Sequence, residues 1–280
     1  MAFIPRGQKK FELQQVKPQF RRGLYSLWDC WEIEPPDNES QLRQRIKRGP
    51  GNLVSVSTNN TPKQRIGSFG GKPAPYLHTN NYTYESVPHD SAADVSGGWH
   101  TWACWHYWNY SSDAIVLNYG DGPSSNAGYA LQVDVSGANC LLKFTAFGAA
   151  DNNGPSYTQA DIVNQWLFMA VAFNFDTLDG YFYMKPENGE FKSTYDSNVG
   201  APSNSTYNQW ASGKSNTQLG NATSSLWIGV WLEKLSEAQI RVLAQSPYAL
   251  YQQNRPLMLP SEAVGVATPA GSIFSSQVFG

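Results

Sequence analysis

The 280-residue sequence predicts an all-β protein: an antiparallel sandwich or barrel with one short helix near its C-terminal end and extended arms at both termini. Three observations carry this. Apolar residues alternate with period two in short segments separated by turn residues. Aromatics are abundant (10 Trp, 15 Tyr, 13 Phe), whereas charged residues make up only 15% of the chain. That composition fits pleated, half-buried surfaces better than a helical bundle. Finally, the stretch SEAQIRVLAQSPYALYQ, residues 236–252, carries the start and stop signals of a helix. A chain of this length buries about three quarters of its surface on folding, and β-sandwiches of this size are commonly one domain.

Three regions follow along the chain. Residues 1–22 have scattered apolar positions, prolines and no period, and read as an extended basic N-terminal arm. Residues 23–256 form the β-rich body. Residues 257–280 are rich in small side chains and irregular, and read as an extended C-terminal tail.

Inside the body, GGWHTWACWHYW (97–108) alternates as a strand. His100, Trp102, Cys104, His106 and Trp108 fall on one side, and Trp99, Thr101, Ala103, Trp105 and Tyr107 on the other. The His and Cys of one flat strand stand too far apart for one metal ion, whose ligand bonds are about 2 to 2.3 Å. They read as packed interior. In GYALQVDV, Tyr129, Leu131, Val133 and Val135 share a face, and a Ser136-Gly137 turn leads into NCLLKFTAF. WLFMAVAFNF (166–175) is apolar on both faces and predicts a central strand, with DTLDGYFYM as a turn and a further strand. SLWIGVW (225–231) predicts another central strand, and GSFGGKP (67–73) reads as a loop.

The helix is specified locally. Ser236 is the N-cap and Gln239 completes a capping box, with Leu235 and Ile240 at the staple positions. Ile240, Leu243 and Ala244 form an apolar stripe, and Pro247 ends it. Caps contribute about 1 kcal/mol each, so a helix this short must lie against the sheets.

No apolar run approaches the roughly 20 residues that span a bilayer, so no membrane role is expected. The first residues lack the apolar segment of a secretory signal, which predicts synthesis in a cytoplasm. Cys30, Cys104 and Cys140 read as reduced thiols. Net charge is −2, unevenly placed: residues 1–65 hold 12 Lys/Arg against 6 Asp/Glu. That asymmetry suggests either an acidic partner for the basic end or a solvated arm without one.

The ordered strands HTWACWHYW, AIVLNYGDG, GYALQVD and LLKFTAF, followed by NQWLFMAVAFNFDTLDGYFYM, resemble the laminin G-like branch of the concanavalin A-like lectin/glucanase fold. Trp166, Ala170, Ala172 and Phe173 to Asp176 match that family's W-x-x-x-A-x-x-F/Y-D strand. The ends, KPQFRRGLYSLW and LSEAQI with SPYALY, resemble members encoded by tailed bacteriophages. The resemblance covers 23–256 and implies a two-sheet jelly-roll sandwich whose helix packs beside it and orients the exit of the tail. It also implies a non-enzymatic virion protein, for capsid decoration or tail association, made in the bacterial host cytoplasm. Partners would be other virion proteins, with several copies per particle and no direct nucleic-acid role. Docking would use Arg6, Lys9, Lys10, Lys17, Arg21 and Arg22 of the basic arm and Phe274 and Phe279 of the tail.

Two other classes compete. A carbohydrate-binding adhesin for host-surface glycans would use rim aromatics and amides: Asp121, Asn126, Tyr207, Asn208, Trp210 and Asn216. A polysaccharide hydrolase would need two carboxyl groups about 5 to 5.5 Å apart in a retaining mechanism. Glu32 and Glu34 share a face beside Trp28 and Trp31, but two prolines follow at once and break a central strand. Catalytic residues are therefore expected to be absent. No cofactor is expected; Asp176 and Asp179 flank a turn, and ordinary turn chemistry outweighs structural calcium there.

Overall fold

The computed structural model describes residues 16–29, 41–44, 53–55, 63–78, 84–86, 97–108, 114–122, 127–146, 153–200, 210–212 and 224–251. They hold sixteen strands. The first eight are β1 (Leu24–Asp29), β2 (Gln41–Gln44), β3 (Leu53–Ser55), β4 (Lys63–Phe69), β5 (Lys72–His78), β6 (Tyr84–Ser86), β7 (Trp99–Trp108) and β8 (Ala114–Gly122). There follow β9 (Ala127–Ser136), β10 (Asn139–Ala146), β11 (Asn153–Thr158), β12 (Gln165–Asn174), β13 (Gly180–Pro186), β14 (Lys192–Asp196), β15 (Trp210–Ser212) and β16 (Ser224–Trp231). Two short helices are α1 (Gln159–Ile162) and α2 (Glu237–Leu243). None of the described helices is long and apolar enough to cross a membrane.

The strands make an antiparallel two-sheet sandwich. One sheet runs β1-β16-β7-β12-β13-β14, and the other runs β3-β6-β15-β8-β9-β10-β11. β2 pairs with both β1 and β3, so hydrogen bonding passes from one sheet to the other along one side. β12 lies between β7 and β13, and β16 between β1 and β7. The two doubly apolar segments are thus the central strands. The β9–β10 hairpin closes at Ser136↔Asn139, so its loop is Gly137-Ala138, one residue later than the sequence suggested. The first loop position has φ +60°, which glycine adopts without strain.

Alternation along β7 separates two cores. Trp102, Cys104 and Trp108 join Leu131, Val133, Phe144, Leu167, Met169, Phe173 and Ile228 between the sheets. Ala103 and Trp105 face the opposite way and join Trp166, Phe168, Ala170, Ala172, Trp227 and Trp231. The central strands of the first sheet are therefore buried on both faces. Burying each such large side chain contributes about 1.5–3 kcal/mol.

Four tryptophans on the outer face explain what covers it. The indole N–H groups of Trp105, Trp227, Trp231 and Trp166 donate to the backbone carbonyls of Leu243, Pro247, Phe20 and Ser68, at 3.0, 2.9, 2.8 and 2.9 Å. Two of those carbonyls, Leu243 and Phe20, lie at the C-terminal ends of short helices, where the chain leaves acceptors unsatisfied. The sheet supplies the missing donors and fixes each covering segment in place. α2 has the expected capping box, with Ser236 Oγ accepting from Gln239 N–H at 3.3 Å. Leu235, Ile240, Leu243 and Ala244 are all fully buried against the sheet.

Two expectations change. GSFGGKP is not a free loop: β4 and β5 pair from Lys63↔His78 to Phe69↔Lys72, with Gly70-Gly71 as the turn. Phe69 packs edge-on against Trp105 at 4.9 Å and so ties the hairpin tip to the outer face. Residues 16–22 belong to the body rather than to an arm. Val16 and Phe20 are fully buried, Pro18–Phe20 forms one 3-10 turn, and Val16 bridges to Tyr251. One turn offers too few positions for a hydrophobic period, so this anchor was invisible to pattern reading.

Candidate functional site

The His and Cys side of β7 is interior. His106 is fully buried, its Nδ1 sharing a hydrogen bond with Ser225 Oγ at 3.2 Å while Nε2 meets no partner. Desolvation pulls its pKa down to about 3. His100 is pulled down to about 4 by the same cause, against the opposing Gly97 carbonyl and Asp176 charge. Burial pushes the Cys104 thiol upward, which leaves it unreactive at neutral pH. Among the described residues, no three His, Cys, Asp or Glu side chains converge as a metal site.

Asp176 and Asp179 serve the β12–β13 turn. Asp176 accepts from Gly98 N–H at 2.8 Å, and the Asn174 side chain accepts from the N–H groups of Asp176 and Thr177. Asp179 accepts from Tyr195 Oη at 2.6 Å and from the Thr177 hydroxyl. Those bonds, Thr177's first, hold the Asp179 carboxyl below its ordinary value.

Around Asp179 the fold gathers an aromatic cluster at one edge of the first sheet. Register places Tyr181 of β13 opposite Tyr195 of β14 on one side and Ala172 of β12 on the other. The small Ala172 lets Trp99 of β7 lean across, bringing the Trp99 and Tyr181 rings to 5.8 Å and the Tyr181 and Tyr195 rings to 4.8 Å. Lys234, just beyond β16, lays its ammonium over both Trp99 and Tyr181, at 4.0 and 3.6 Å from the ring centres. Tyr195 remains 54% exposed although its hydroxyl is anchored, and its bond to Asp179 raises its pKa to about 12. Sequence reasoning missed this group, because its members come from four segments. The polar run KSTYD, with Tyr195 as its one aromatic, was the available signal.

A second feature is the junction of the two ends of the body. Val16 and Tyr251 form an antiparallel bridge, Lys17 N–H donates to Leu250 O at 2.9 Å, and Tyr251 Oη donates to buried Asp29 at 2.8 Å. Gln239 Nε2 reaches Gln19 O at 2.7 Å, which links α2 to the entering chain. Of the basic residues expected to dock, Arg21 donates to Val16 O at 2.7 Å, and Arg22 pairs with Glu233 at 3.2 Å with its own side chain 91% exposed. Both partly serve their own body.

Asp121 lies on β8 and Trp210 on the neighbouring β15, where Trp210 pairs with Tyr119 two positions from Asp121. Asn126, Tyr207, Asn208 and Asn216 lie outside the described residues, as do Arg6, Lys9, Lys10, Phe274 and Phe279. Glu32 and Glu34, the candidate catalytic pair, also lie outside them.

No protein-family model matches the chain, and no curated protein matches it in sequence. Solved structures do match in fold. The receptor-binding domain of botulinum neurotoxin D aligns at a TM-score of 0.50 and 10% identity, over 80% of this chain and 52% of that one. The binding domain of Paraclostridial Mosquitocidal Protein 1 aligns at 0.53 and 11%, over 85% and 53%. The chain spans about half the length of these domains. At such identities the likeness is one of architecture, and it agrees with the pairing and the two cores: the chain is an all-β antiparallel sandwich.

Proposed function

We propose that this chain is a non-enzymatic, lectin-like binding module carried on the virion of a tailed bacteriophage, held there by the segments that flank its folded body. One observation supports it most directly. Val16 and Tyr251, the first and last described residues of the body, face each other in an antiparallel bridge, so segments attached at those two positions start from one point. Anchors leaving from a shared point engage one neighbouring subunit and leave the far end of the sandwich free for display. Extended segments suit this task, since they gain large contact areas by adding strands or filling pockets on a partner. The basic residues Arg6, Lys9 and Lys10 in the first segment favour an acidic docking surface, and such attraction weakens with salt. Phe274 and Phe279 in the second supply apolar anchors. The resemblance of KPQFRRGLYSLW and SPYALY to phage-encoded relatives supports the virion setting, and likeness of fold to binding domains supports recognition over catalysis.

The test is deletion of residues 1–15, of 252–280, and of both, followed by mass-spectrometric analysis of particles assembled with each version. The deletions are expected to leave the sandwich folded and to remove it from particles. Truncated chains incorporated at normal copy number would overturn the attachment mode.

A further inference from the structure

We propose that Tyr195, Asp179 and Lys234, backed by Tyr181 and Trp99, form a binding site for a neutral pyranose at the β13–β14 edge of the first sheet. The inference rests on the lectin-like half of the proposed function and not on virion attachment.

The chemistry of the five side chains selects the ligand. The Tyr195 ring is 54% exposed at an edge strand whose residues Lys192 to Tyr195 all face solvent. Its hydroxyl is pinned to Asp179 at 2.6 Å and its ring rests against Tyr181 at 4.8 Å. An apolar face is thus held rigid in water, and a rigid aromatic loses little conformational entropy when a ligand stacks on it. A pyranose offers a matching face of C–H groups with hydroxyls around its rim.

The rim of the site matches those hydroxyls. Asp179 is held ionised by its two hydrogen bonds, and each carboxylate oxygen keeps a second lone pair for a ligand hydroxyl. Lys234 presents N–H donors beside Tyr181. The opposite charges of Asp179 and Lys234 argue against ionic ligands. A cation finds the Trp99 and Tyr181 faces already occupied by the Lys234 ammonium. An anion stacked on Tyr195 meets the Asp179 carboxylate at once. A neutral, hydroxyl-rich ring suffers neither conflict and uses both polar groups. Placement on β7, β13 and β14 also gives the site rigid supports, with only Lys234 and Asp179 on connecting segments.

The experiment applies purified full-length chain to an array of neutral hexose and N-acetylhexosamine oligosaccharides beside sialylated and uronic-acid-containing ones. Binding to neutral oligosaccharides is expected. The best of them is then titrated against variants by tryptophan fluorescence, with Trp99 as the local reporter. Tyr195→Ala and Asp179→Asn are each expected to weaken binding about tenfold or more. Tyr195→Phe, which keeps the ring and loses the clamp, should fall between them and the parent. Tyr195 is exposed, so an unchanged melting temperature in its variants separates lost contact from lost fold. Silence across the array, binding confined to acidic glycans, or neutral binding that survives both substitutions would overturn the site. None of these outcomes touches incorporation into particles, so the two readings fail separately.

Discussion

The indole N–H of Trp105 donates to the carbonyl of Leu243 at 3.0 Å, joining residues 138 positions apart. A strand in the middle of the chain thereby finishes a helix near its end. Trp105→Phe leaves that carbonyl buried without its donor and opens a void beside Phe69 and Phe168. The expected loss is about 3 kcal/mol, the orphaned acceptor and the void together. Calorimetry should then show melting lower by roughly 10 °C. An unshifted transition would mean that the indole bond does not hold the helix.

Truncation separates the flank from the body. Removing residues 1–15 should leave the urea midpoint unchanged. Removing 1–22 also strips Val16 and Phe20 from the outer core and takes away the carbonyl that Trp231 donates to. That longer deletion should cost about 4 kcal/mol or more, or prevent folding altogether. Equal midpoints for the two truncations would show that the 16–20 anchor contributes nothing.

Gly23 turns the anchor into β1 with φ +63°, and a Cβ there would lie 2.6 Å from Glu233 Cγ. Gly23→Ala therefore combines left-handed backbone strain with displacement of the residue that pairs with Arg22. Gly70→Ala, at φ +53° in open space, carries the strain alone. Gly70→Ala should destabilise by about 1 kcal/mol and Gly23→Ala by about 1–2 kcal/mol more. Denaturant titration of the pair isolates the close approach.

The two buried histidines make stability depend on pH. Both have folded-state pKa values far below the ordinary 6.5, about 4 for His100 and about 3 for His106. As pH falls below 6.5, the unfolded chain takes up protons that the folded chain refuses, so stability falls. Each histidine contributes a slope of up to about 1.4 kcal/mol per pH unit across that window, and His100 levels off first, near pH 4. Unfolding free energies at pH 7, 6 and 5 should decline accordingly, with a shallower slope in His106→Gln at comparable fold. A flat profile over that range would show that both rings are protonated in place.

Much of the framework was readable from local pattern. Alternation and turn signals marked β7, β9, β10 and β13, and continuous apolar runs marked β12 and β16. Apolarity on both faces of residues 166–175 identified a central strand, and Ser236 and Gln239 set the start of α2, which ends at Leu243, before Pro247 opens a separate 3-10 turn. Each of these rests on neighbours within a few residues, where steric and capping preferences act. The sequence could also tell that β7 has two sides, but not which one meets the second sheet, because both are apolar. That choice belongs to the packing of whole sheets.

The candidate site was decided almost wholly by tertiary structure. Asp179 looked like a turn former and is one, yet its value as a ligand depends on Tyr195, which only strand pairing brings within 2.6 Å. Lys234 is an ordinary surface lysine in sequence, and it matters because β16 ends beside Trp99 and Tyr181. By itself, then, the sequence determined the all-β class, several central strands and the capped start of the helix, since these follow from short-range periodicity and caps. The folded chain alone decided the covered outer face, the pairing of Val16 with Tyr251 and the aromatic edge, since each joins residues that only long-range register makes neighbours.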